Sequence, residues 1–170
     1  VLLAGMASIT PKSYNYWREI FFANRQWGDI ANVHSIQEGI DFNARLYRQY
    51  LDGLGNESHP FWVTEAVVGS KEEEWDDDKK AHMTVVGYVE AFANGAQKIF
   101  SSEPSDATFN LIVETLNGFE SVERLSETSV KFEFQNGKIV YALWDEATLP
   151  EDVKGQVNVV RYDGTRQKMK

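Results

Sequence analysis

The chain has 170 residues, 42% apolar and 25% charged, with a formal net charge of -9 and no cysteine. One core in a chain of this length buries about 70% of the unfolded surface, so neither disulfide nor metal is needed to hold it. The 26 acidic residues against 17 basic ones argue against nucleic acid as a partner, thiol chemistry and thiolate zinc sites are excluded, and no apolar run reaches the length of a membrane span.

The chain opens on Val1-Leu2-Leu3-Ala4-Gly5 with no basic segment ahead of it, which reads as a core strand of a longer chain and not as a secretion signal. Leu2 to Ala7 is the first predicted strand. Pro11-Lys12-Ser13 reads as a turn, followed by a short helix from Tyr14 to Ala23 with Trp17, Ile20 and Phe21 on one side. Ile30 to Ile36 is the next strand. Asp41 is placed to cap a helix in which Phe42, Leu46, Tyr50 and Leu54 recur at a spacing of four, ending at Gly53 to Asn56. Phe61 to Val68 is the strongest strand, β-branched and flanked by Pro60 and Gly69.

Glu72 to Asp78 is an acidic run, read as a solvated loop that leads into a helix N-terminus. Ala81, Val85, Val89 and Phe92 then repeat with helical period toward a stop at Asn94-Gly95. Lys98 to Ser101 is a short strand, and Asp106 to Asn117 a helix with Leu111, Ile112, Thr115 and Leu116 on one stripe. Strands alternating with helices predict a parallel sheet with helices on its faces. The pattern then changes. Val130 to Phe134 alternates with period two, Asn136-Gly137 supplies a tight turn, and Ile139 to Trp144 returns; Val157 to Tyr162 is a further strand ending in Asp163-Gly164.

No glycine-rich phosphate loop occurs, the three histidines fit no zinc spacing, and no cofactor or metal is expected. Asn56-Glu57-Ser58 matches a glycosylation acceptor and says only that a surface loop lies there. The informative segment is Phe61-Trp62-Val63-Thr64-Glu65-Ala66, with a carboxylate near the end of an apolar strand. Burying an ionisable group is costly, and ligands in parallel βα proteins are met at the C-terminal ends of strands. Asn32 and His34 sit at the end of the preceding strand, so His34 is expected within reach of Glu65. Trp62 is expected on the opposite side of the sheet from Val63 and on the same side as Thr64.

Taken together, Asp29-Ile30-Ala31-Asn32-Val33-His34, then Phe61-Trp62-Val63-Thr64-Glu65-Ala66, then Lys98-Ile99-Phe100, resemble the second half of a (β/α)8-barrel retaining glycoside hydrolase. Val140-Tyr141-Ala142-Leu143-Trp144 and Asp163-Gly164 resemble the small β domain that often follows such barrels. The resemblance implies an α/β fold: half of a (β/α)8 barrel, four βα units forming strands five to eight, over residues 1–120, and a small antiparallel β domain over 121–170. It implies Glu65 as nucleophile, with His34, Asn32 and Trp62 binding a carbohydrate substrate. Three departures accompany it. Ile36 stands where the family often has an aromatic residue, Ser101 and Ser102 follow Phe100 where many members carry a tryptophan, and the family's acid/base glutamate would precede Val1.

Retaining hydrolysis needs two carboxyl groups about 5 Å apart, and Glu65 supplies one. Glu103 and Glu38 are weak substitutes for the other, so the isolated chain is expected to be inactive. The open sheet edges imply completion by a missing N-terminal half-barrel or by a second copy of the chain. A noncatalytic relative that keeps a carbohydrate groove or only the scaffold is the alternative, and localisation is left open.

Overall fold

A computed structural model of the protein describes residues 2–3, 5–6, 11–24, 29–36, 40–69, 74–102 and 105–169. Val1, Ala4, Ala7, Trp27, Glu38, Glu72, Glu73, Glu103 and Pro104 lie outside the described residues, as do the side chains of Phe21, Ala23, Ile36, Asp41, Phe42 and Ser102. In chain order the elements are α1 (Pro11–Asn24), β1 (Ala31–Ile36), α2 (Ile40–Gly53), β2 (Phe61–Val67), α3 (Asp77–Ala93), β3 (Ala96–Ser102) and α4 (Asp106–Leu116). Five more strands follow: β4 (Phe119–Ser126), β5 (Ser129–Phe134), β6 (Ile139–Leu143), β7 (Val157–Val160) and β8 (Arg166–Met169).

The helix ends follow from local chemistry. Asp76 caps α3 by accepting a hydrogen bond from the Lys79 backbone N–H at 2.7 Å, and Asp77 and Asp78 occupy the first turn, where carboxylates meet the positive end of the helix. The described part of the acidic run thus leads through Glu74, Trp75 and the cap Asp76 into the first turn of the helix. At the other end Asn94 and Gly95 close α3, with Gly95 at φ +93°, a left-handed backbone that costs glycine nothing. Ser105 caps α4 in the same manner as Asp76 caps α3. In α2 the expected stripe is displaced: Ala44, Tyr47, Tyr50 and Leu51 are buried, while Leu46 is half-buried. The helix already begins at Ile40, one residue before the expected cap.

β1, β2 and β3 form a parallel sheet in that order, with α2 and α3 packed together against it. Phe61, Val63 and Ala66 of β2 are fully buried with Ala31 and Val33 of β1, and the Tyr47 ring meets Phe61 edge-on, centroids 5.5 Å apart. Arg48 fastens the connection between α2 and β2. Its guanidinium pairs with Asp52 at 2.7 Å, donates to the carbonyls of Asn56 and His59, and lies 5.9 Å from the Phe61 ring centroid. The core continues through Phe92 and Phe119 to Val130 and Phe132, so the antiparallel sheet β4-β5-β6 closes over α3 and α4. Glu90 of α3 is nearly buried and takes two hydrogen bonds from Arg124 of β4, at 2.7 and 2.8 Å.

This architecture corrects the expected half (β/α)8 barrel with four alternating βα units. The described residues form a mixed α/β arrangement of four helices and three small separate sheets: parallel β1-β2-β3, antiparallel β4-β5-β6 and antiparallel β7-β8. The segment expected as the first barrel strand makes only two isolated parallel bridges to the β1 side, Leu2 with Ile30 and Met6 with Val33. A glycine in the middle of so short a run weakens it as a strand, and among the described residues of the run, 2–3 and 5–6, these two bridges are the pairing seen. Phe119–Ser126, whose many charged residues hide its period, is a strand, and the last predicted strand is a hairpin of two.

Candidate active site at the ends of the parallel strands

Glu65 owes its position to a bulge. Along β2, Phe61 and Val63 face the core, and strict alternation would send residue 65 the same way. The pairing shows otherwise. Val33 pairs with Val63 and His34 with Glu65, so Thr64 is an extra residue on β2; on the other side Val63 pairs with Ile99 and Ala66 with Ser101, again one residue longer on β2. The bulge hands the buried place to Ala66 and turns the carboxylate outward. The Glu65 side chain is 54% exposed, far too wet to pay a burial cost.

His34 meets it there. His34 Nδ1 lies 3.3 Å from Glu65 Oε2, and the imidazole is 26% exposed. The His34 backbone N–H donates to the Met6 carbonyl at 2.9 Å, and the Met6 N–H donates to the Asn32 carbonyl at 3.0 Å, so the end of β1 is held from the side away from β2. Beneath the pair the Thr64 hydroxyl donates to Asn32 Oδ1 at 2.5 Å, and Asn32 Nδ2 donates to the Leu3 carbonyl at 3.2 Å. Asn32 is nearly buried, and each end of its amide has a protein partner. Its part in this arrangement is to fix β1 against β2, which also holds the bulge in place. Burial drives the nearby Tyr47 hydroxyl far above its ordinary range, opposed by a hydrogen bond with the Asn32 backbone.

Trp62 is half-buried, as its alternation with Val63 predicts, and its closest described aromatic neighbour is Phe100 of β3. Lys98 Nζ sits 4.6 Å from the Trp62 ring centroid, and the Trp62 and Phe100 rings are 6.2 Å apart. The Trp62 indole N–H is buried with no hydrogen-bond partner among the described residues. These contacts place Trp62 with Lys98 and Phe100, deeper along the sheet than the His34–Glu65 pair. Ser101 is engaged by the Tyr88 hydroxyl at 2.9 Å, tying α3 to β3. An open groove of about 760 Å³ between β3 and α4, lined by Phe100, Phe109, Ile112 and Val113, includes neither His34 nor Glu65.

Among the described residues no three histidine or carboxylate side chains cluster as a metal site, and no helix is long and apolar enough to cross a membrane. Sequence reasoning brought His34 and Glu65 to adjacent strand ends. It missed Thr64, whose role appears only in the pairing, and it missed Met6 as the support of His34. Comparison with protein-family models, with curated proteins and with solved structures finds no match for the chain.

A carboxylate in this setting has two chemical capacities. It can attack an electrophilic carbon, or it can take a proton, and an imidazole beside it can orient it in either task. Its exposure leaves room for a substrate to approach.

Proposed function

We propose that the chain carries the nucleophilic side of a retaining glycoside hydrolase, with Glu65 as the nucleophile and His34 orienting it. The observation that carries this reading is the bulge in β2, which spends an irregularity to turn one carboxylate out of the core and onto an imidazole. In this reaction the Glu65 carboxylate attacks the anomeric carbon, the glycosidic C–O bond breaks, and the leaving oxygen takes a proton from a second carboxylic acid. Water then cleaves the glycosyl ester. Glu65 is the only carboxylate in β1, β2 and β3, so the proton donor has to come from outside this sheet. The sugar is a carbohydrate of unspecified type. Trp62 and Phe100 favour a second reading, a noncatalytic carbohydrate-binding relative, because they form an aromatic pair on the same sheet apart from the His34–Glu65 pair.

Glycosyl fluorides with fluorine at position 2 decide between the two, since fluoride leaves without a proton and the ester accumulates. A panel of such sugars is expected to leave a glycosyl mass on the peptide containing Glu65, and Glu65→Gln to abolish it. Glycan binding with no adduct from any sugar favours the noncatalytic reading. An adduct that survives in Glu65→Gln refutes the assignment of the nucleophile.

A further inference from the structure

We propose that Gly5 is a positioning residue for His34: the side chain it lacks is the space in which the imidazole stands beside Glu65. A Cβ added to Gly5 would lie 2.1 Å from His34 Nε2, 2.5 Å from Cδ2 and 2.9 Å from Cε1. No real Cβ tolerates contacts that short, so ring and methyl exclude each other. Space, and not backbone freedom, is the reason for a glycine here. Gly95 and Gly137 adopt the left-handed backbone, at φ +93° and +80°, whereas Gly5 does not; Gly53 and Gly69 would direct a Cβ into open space.

The backbone on both sides of the contact is pinned, which decides what gives way. Met6 donates to Asn32 and accepts from His34, Leu3 donates to Ile30, and Asn32 holds the Leu3 carbonyl. The segment carrying Gly5 is therefore fastened to β1 before and after the glycine. The clashing atoms belong to the outer edge of a side chain that rotates about two bonds. A methyl at position 5 accordingly expels the ring and leaves the strands in place. The expelled ring takes Nδ1 away from Glu65 Oε2, because Nε2 and Nδ1 belong to one rigid plane. Gly5 thereby also selects the tautomer: with Nδ1 held toward a carboxylate, the neutral ring keeps its proton on Nδ1.

Imidazole ¹⁵N–¹H correlation spectra of the full chain test this without any substrate, so the result is independent of whether glycosyl transfer occurs. In the unsubstituted protein His34 is expected as the Nδ1–H tautomer, with ring signals that shift on Glu65→Gln. In Gly5→Ala the tautomer preference and the response to Glu65→Gln are both expected to be lost, while amide signals of β2, β3, α3 and α4 keep their positions. A response to Glu65→Gln that persists in Gly5→Ala overturns the proposal. Should Gly5→Ala fail to fold, the pair Gly5→Ala with His34→Ala vacates the contested space and is expected to fold. If that pair stays unfolded while His34→Ala alone folds, the proposal is also overturned.

Discussion

Replacing Arg124 by methionine removes the guanidinium that grips Glu90 and leaves a carboxylate in a nearly dry place. The Glu90 side chain is 10% exposed and that of Arg124 33%, so the two halves of the pair differ in what their loss exposes. Removing one partner of a fully buried pair costs about 3–5 kcal/mol, and exposed pairs are worth roughly 0.2–1 kcal/mol. Arg124→Met lies near the buried limit, about 3 kcal/mol, because both oxygens of Glu90 lose their donor. Glu90→Met costs less, about 1.5 kcal/mol, since the remaining guanidinium is one-third exposed and still faces the carbonyls of Ser126 and Glu127. The double substitution puts two apolar chains together and is expected to cost less than Arg124→Met alone. Urea unfolding followed by tryptophan fluorescence measures all four proteins. For a chain of this size, about 3 kcal/mol corresponds to a drop of roughly 6–12 °C in Tm. Costs that simply add to within about 0.5 kcal/mol, or a larger cost for Glu90→Met than for Arg124→Met, refute the reasoning.

Two further predictions concern the parallel sheet and its flank. Deleting Thr64 removes the bulge without turning Glu65, because the carboxylate then follows Val63 directly and stays on the outer face with Ala66 still in the core; a loss of only about 1 kcal/mol is expected, from the missing Thr64–Asn32 hydrogen bond, and a loss of several kcal/mol in urea counts against the reading of Thr64 as supernumerary. Burial, and next the Arg48 charge, hold the His59 imidazole below its ordinary range against the pull of Asp29. The unfolded chain therefore binds more protons at this site, so its contribution stands in full above about pH 6.5 and falls as pH drops toward the lower folded midpoint. His59→Gln is expected to flatten the stability–pH curve over that interval, and an unaltered slope counts against the assignment.

The helices and the three parallel strands were legible because apolar period and turn signals agreed along residues 30–118, as at the Asn94-Gly95 stop, although the caps Asp76 and Ser105 emerged only in the structure. The barrel expectation failed where a resemblance of short motifs outran the local signals. The described residues around Gly5 give two bridges, and β4 hides among charges because most of its residues face water. At the candidate site the residue types could be read, but the bulge could not. Period-two reasoning assigns Glu65 to the face of Val63, and only the partner strands reveal that Thr64 is supernumerary. Likewise the buried face of α2 follows Tyr47 and Leu51, because the Tyr47 ring finds Phe61, a contact no local spacing encodes.

The hairpin of β7 and β8 adds no residue to the buried core, which stops at Phe132 with partly buried neighbours as far as Trp144. Tyr162 bonds Asp78 and stacks near His82, and Arg166 pairs with Glu114, all at exposed or half-exposed positions. Such anchors are weak and screened by salt, so the hairpin is expected to open locally at lower cost than global unfolding. Hydrogen exchange in its amides then reports that local opening, and a fluorophore attached there records an earlier transition than the tryptophans of the core. One protein yields two midpoints.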